Sequence, residues 1–147
     1  MGRATANVLE ADQTNANLGS SAASAGDVNG DGFGDLIAGN DSVNGTGEAY
    51  IWYGSENGLG GDGTPAGADW SISGQVDPSA SFGSSVGSAG DVNGDGYSDV
   101  IVGAIYYDLV WDDNRGGAFV WYGSGQGLGG AANWTVDGDQ GGAELGW

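Results

Sequence analysis

Two short apolar runs, Leu36-Ile37-Ala38-Gly39 and Val100-Ile101-Val102-Gly103, interrupt a chain made largely of Gly, Ser, Asn and Asp. They are too short for helices and rich in β-branched residues, so they read as buried strands. The pattern around the second run predicts four strands: Phe82 to Ser88, Asp99 to Ala104, Ala118 to Tyr122 and Trp134 to Val136. The last three carry the Val, Ile, aromatic and Thr content that strands favour. The first half repeats the second. Leu18-Gly19 and Phe82-Gly83 stand 64 residues apart, as do Asp27 and Asp91, and Trp70 and Trp134. Trp52-Tyr53-Gly54-Ser55 and Trp121-Tyr122-Gly123-Ser124 stand 69 apart, so the second unit has five extra residues in the loop from Tyr106 to Gly117. Four antiparallel strands in a period of this size describe a propeller blade. Leucine-rich, ankyrin and tetratricopeptide units are shorter, and are helical or leucine-patterned.

Each buried strand is preceded by the same polar stretch. Ser24-Ala25-Gly26-Asp27-Val28-Asn29-Gly30-Asp31-Gly32 returns unchanged as Ser88 to Gly96, and an acid closes each copy at Asp35 and Asp99. Asp27, Asn29, Asp31 and Asp35 fall at positions 1, 3, 5 and 9 of a tight turn, as do Asp91, Asn93, Asp95 and Asp99. Their side-chain oxygens are placed to converge, and Phe33 or Tyr97 at position 7 adds a backbone carbonyl. This is an all-oxygen donor set of the kind a hard cation such as Ca²⁺ takes, with Gly32 or Gly96 allowing the sharp bend. An EF-hand would need an acid at position 12 and a helix; here position 12 is Ala38 or Val102 and a strand follows. The alternative is that Asn-Gly and Asp-Gly form ordinary hairpin turns without metal. Asp137 and Asp139 could form a third such loop, but they align with the linker from Gly74 to Val76 and read as a turn.

Composition narrows the function. Thirty-three glycines and two prolines exclude long helices, and six Trp with six Tyr argue against disorder. Twenty acids against two arginines give a net charge of −18, which disfavours nucleic acid and anionic membrane as partners and favours divalent cations. The chain has no cysteine, histidine or lysine, so the common nucleophiles and general bases are absent and no enzyme is expected. A carboxylate-pair glycosidase would need a pair of acids outside the loops, and none is singled out. No run reaches membrane-spanning length.

The Leu18-Gly19 and Phe82-Gly83 pairs, the Gly-Asp-Val-Asn-Gly-Asp-Gly loops, Val102-Gly103-Ala104 and the Tyr-Gly-Ser strand ends resemble FG-GAP repeats, the blades of the integrin α-subunit propeller. The departures are Leu-Gly for the first "FG" and Ala38-Gly39-Asn40 for the first "GAP". The resemblance implies an all-β fold of four-stranded antiparallel blades: residues 1–17 as an outer strand and linker, 18–80 and 81–143 as two blades, and 144–147 as the start of a third. Two and a fraction blades do not close a ring, so homo-oligomers pooling their blades are expected, or a longer array of which this is part. The resemblance further implies two calcium sites, an extracellular or cell-surface location, and a role in adhesion or recognition. Partners would meet the face opposite the metal loops, where Tyr106, Tyr107, Trp111, Asp112 and Arg115 form a candidate surface for a protein or glycan. The competing reading packs these aromatics into the blades. Two other functions stay open: a self-assembling structural subunit, and the non-catalytic propeller part of a carbohydrate-active or phospholipid-cleaving enzyme.

Overall fold

The computed structural model describes residues 17–41, 46–74, 80–108 and 114–146. The outer strand expected within 1–17 lies almost wholly outside them. Two sheets of four antiparallel strands follow one another: β1 (Leu18–Gly26), β2 (Asp35–Asn40), β3 (Glu48–Trp52) and β4 (Trp70–Ser73), then β5 (Phe82–Gly90), β6 (Asp99–Ala104), β7 (Gly117–Trp121) and β8 (Trp134–Asp137). In each sheet the strands lie side by side in chain order. No α-helix occurs among the described residues; one turn of 3₁₀ helix spans Pro65–Gly67.

The sheets repeat each other down to their irregularities. β1 is bulged between Leu18 and Ser21 and between Ser24 and Gly26, and β5 between Phe82 and Ser85 and between Ser88 and Gly90. A bulge bends its strand and needs a residue tolerant of unusual backbone angles. Gly19 and Gly83 supply it, both at φ 83°, which explains the glycine in the Leu-Gly and Phe-Gly pairs.

Antiparallel pairing sorts the side chains into faces. Ile37 pairs with Ile51 and Gly39 with Ala49, so these share the face of the first sheet that meets the second. On the second sheet Val100 pairs with Trp121 and Val102 with Phe119, and these face back. Trp70 closes the seam, its ring edge-on to Trp121 at 5.5 Å between centroids and its indole N–H donating to the Gly129 carbonyl at 2.9 Å. Ala25, Val28, Phe82 and Tyr107 complete this shared core. A smaller cluster, Ala38, Tyr50 and Trp52 with Leu18, Leu36, Leu59 and Ala68, covers the opposite face of the first sheet.

The sheets are also joined through backbone. The Ser21 hydroxyl donates to the Gly83 carbonyl at 2.8 Å, and a Cβ on Gly39 would run into that same carbonyl. The pattern recurs at the end of the described chain, where the Ser85 hydroxyl donates to the Gly146 carbonyl at 2.6 Å and a Cβ on Gly103 would strike it. Leu145 bridges Gly116 in parallel as Phe82 bridges Gly47. Leu145-Gly146 thus sits against the second sheet as Phe82-Gly83 sits against the first.

Candidate metal centre

The loops before β2 and β6 are held by their own side chains. Asp27 Oδ1 accepts the amides of Gly30 (2.7 Å) and Asp31 (3.1 Å), and its Oδ2 accepts that of Gly32 (2.9 Å). Asn29 Oδ1 accepts the Asp31 amide, Asn29 Nδ2 donates to Asp31 Oδ2, and Asp31 Oδ1 accepts the Phe33 amide. The second loop repeats every bond. Asp91 takes the amides of Gly94, Asp95 and Gly96; Asn93 Oδ1 takes that of Asp95; Asn93 Nδ2 donates to Asp95 Oδ2; and Asp95 Oδ1 takes the amide of Tyr97. Gly32 and Gly96, at φ 90° and 93°, make the bend expected of them.

The ninth acids behave differently. Asp35 is buried, with Oδ2 accepting the Val28 amide (2.8 Å) and Oδ1 the Gly54 amide (2.9 Å). Asp99 is buried likewise and accepts the amides of Val92 (2.7 Å) and Gly123 (2.9 Å). Each ninth acid therefore clamps its loop to the Trp-Tyr-Gly end of the third strand, a duty the spacing did not reveal. Among the described residues, no three acidic side chains stand grouped as a metal cluster; the oxygens of Asp27, Asp31 and Asp35 accept backbone amides.

The donor set nevertheless fits a hard cation. A carboxylate offers about four lone-pair sites and an amide oxygen two, and the bonds above leave some free on Asp27, Asn29 and Asp31. The amides fix these oxygens in place without neutralising their charge. Asp27, Asn29, Asp31, the Phe33 carbonyl and Asp35 would hold an ion in the first loop, and Asp91, Asn93, Asp95, the Tyr97 carbonyl and Asp99 in the second. The ion would supply positive charge where carboxylates crowd.

Crowding is already felt at Asp35. Burial pushes its carboxyl above the ordinary 3.8, the Gly54 and Val28 amides oppose this, and Asp31 and Asp27 add to the rise. Burial also raises Glu48 above 4.5, where its carboxylate accepts the Tyr50 hydroxyl. A raised carboxyl means that the folded chain binds protons more tightly than the unfolded one. Stability contributed by that proton is present at low pH and is lost as pH rises through the folded value. In chelator, the melting temperature should therefore rise as pH is lowered from neutral toward the ordinary carboxyl values of 3.8 and 4.5. A steady fall over that range, followed by circular dichroism, would contradict this.

The candidate surface on the opposite side is divided. Tyr106 is exposed, with its amide on the Ala80 carbonyl. Tyr107, expected beside it, is instead buried in the shared core, its ring edge-on to Phe119 at 5.1 Å. The chain turns after Ala104, so adjacent tyrosines face opposite ways. Trp111 and Asp112 lie outside the described residues. Arg115 is half-buried; its amide and that of Asn114 are both taken by the Asp108 carboxylate, a clasp not anticipated from sequence. Asp137 ends β8 and Asp139 lies in a bend.

No helix among the described residues is long and apolar enough to cross a membrane. No curated protein matches the chain. The FG-GAP repeat profile matches residues 18–52 and 82–121, which are the first three strands of each sheet with the loops between them. The two sheets are therefore propeller blades, and the chain belongs to the FG-GAP repeat family.

Proposed function

We propose that the chain is a calcium-binding, non-enzymatic extracellular repeat module that serves adhesion or recognition within a β-propeller. The observation that carries this reading is the pair of matching loops, in which an identical set of amides holds Asp27, Asn29 and Asp31, and again Asp91, Asn93 and Asp95. An ion bound only by the folded loop stabilises it by about 2.7 kcal/mol at a hundredfold excess over its Kd. Asp95→Ala should lower the melting temperature in millimolar calcium and change it much less in excess chelator. Equal losses in both conditions would count against a metal role. The absence of His, Cys and Lys from the sequence supports a binding role over catalysis.

A second reading is assembly with copies of itself, and it bears on one comparison. Trp70 is 9% exposed beneath the second blade, whereas Trp134, its counterpart there, is 50% exposed. A further blade, from a copy or from a longer array, would cover Trp134. If a copy does so, light scattering should give a discrete mass of several chains in millimolar calcium; a monomer at all concentrations would remove this reading.

A further inference from the structure

The two loops touch, and the contact is one-sided. Ser98, at the eighth position of the second loop, accepts the Asp27 amide on its hydroxyl at 3.1 Å, and its own amide donates to the Asp27 carbonyl at 2.9 Å. The Ser124 amide donates to the Val28 carbonyl at 3.1 Å. The Tyr97 ring lies so close over Gly30 that a Cβ there would run into it. The residue that opens the first loop is thus gripped by residues of the second. Val28 is consequently 0% exposed, while its counterpart Val92 is 55% exposed.

The sequence carries a matching signal. From the first to the ninth position the loops differ only where Phe33 stands against Tyr97 and Gly34 against Ser98. Tyr97 and Ser98 are the two side chains that reach across. All four glycines at these positions have positive φ, but only in the first loop does the space also forbid a side chain: a Cβ on Gly26 would strike Ser98 and one on Gly30 would strike Tyr97, while on Gly90 and Gly94 it would meet nothing.

We propose that Ser98 and Tyr97 are positioning residues of the first loop, and that they make its calcium affinity depend on the state of the second. The proposal rests on the calcium reading above. Tyr97 lends the second loop its carbonyl, and Ser98 sits between Tyr97 and the buried Asp99. Whatever orders the second loop therefore orders the two groups that hold the Asp27 backbone and cover Gly30. The first loop then has less of its own surroundings to fix, which is positive coupling. Linkage requires the effect to be reciprocal, so filling the first loop strengthens the second by the same factor.

The test is calcium titration of the full chain by competition with a chromophoric chelator. Wild type should take up two ions with a Hill coefficient above 1. Ser98→Ala should still take up two, with the cooperativity lost and the overall affinity weakened by about fivefold or more, within the usual range of coupling between sites. Asp31→Ala and Asp95→Ala, each keeping one intact loop, should bind one ion more weakly than wild type binds its second. This comparison leaves Ser98 intact and so does not depend on the fold of Ser98→Ala. A wild-type isotherm equal to the sum of the two single-loop variants would overturn the coupling and leave the calcium reading standing. No uptake by wild type would overturn both.

Discussion

Trp121→Ala should cost about 3–5 kcal/mol, the range for deleting a large buried aromatic. Trp121 is the centre of the seam between the blades. It meets Trp70 edge-on at 5.5 Å, Phe82 edge-on at 6.0 Å and Phe119 at 6.3 Å. Such aromatic pairs add roughly 0.5–1.5 kcal/mol each beyond the area they bury. Because the seam joins the sheets, the loss should appear as one cooperative transition at lower denaturant concentration, with the two blades unfolding together. Two separated transitions would mean that the blades hold themselves independently. Trp134→Ala provides the contrast. In a monomer it should change stability by less than about 1 kcal/mol, as for most exposed positions. If copies pool their blades, its cost should instead grow with protein concentration.

Asp99→Ala should be nearly as damaging, and most of its effect should persist in chelator. Both Asp99 oxygens accept amides, a part-buried one from Val92 in the loop and a buried one from Gly123 after β7. Removing the carboxylate leaves two amides without partners, at about 1–3 kcal/mol each. A drop of about 5–20 °C in melting temperature follows for a chain of this size. Asp99→Asn keeps one acceptor and turns an NH₂ toward the other amide, so it should fall between Asp99→Ala and wild type. The difference from Asp95→Ala is diagnostic. Asp95 is exposed and bonds only within its loop, so its loss should matter mainly when an ion is present. If Asp99→Ala is as mild as Asp95→Ala in chelator, the ninth acid does not act as a clamp.

The strands were legible in the sequence because they are short, apolar and repeated. The expected strands Asp99 to Ala104 and Ala118 to Tyr122 correspond to Asp99–Ala104 and Gly117–Trp121. The loops were legible for the same reason, since nine identical residues at a fixed spacing fix a shared backbone. What was not legible depends on neighbours that a repeat pattern does not encode. Trp70 and Trp134 occupy equivalent positions, yet one is covered by another blade and the other is not. Tyr106 and Tyr107 are adjacent and identical, and only the turn after Ala104 decides which enters the core. The clamp at Asp35 and Asp99 escaped notice because a metal ligand and an amide acceptor are the same chemical group. Ser98 was overlooked because it coordinates nothing; the mismatch with Gly34 was the one available hint.

The hydroxyl-to-carbonyl joints from Ser21 to Gly83 and from Ser85 to Gly146 bear on how such a chain can lengthen. Each unit carries both halves of the joint, a serine on its first strand and a glycine carbonyl near that strand's start. A duplicated gene segment would therefore arrive with a working junction, and no compensating substitution would be required at its border. Array length can drift by whole units under such a rule, whereas a change of a few residues would separate donor from acceptor. The five residues gained around Tyr106 to Gly117 avoid that penalty because they sit in a loop between β6 and β7, away from the serine and the glycine that must meet.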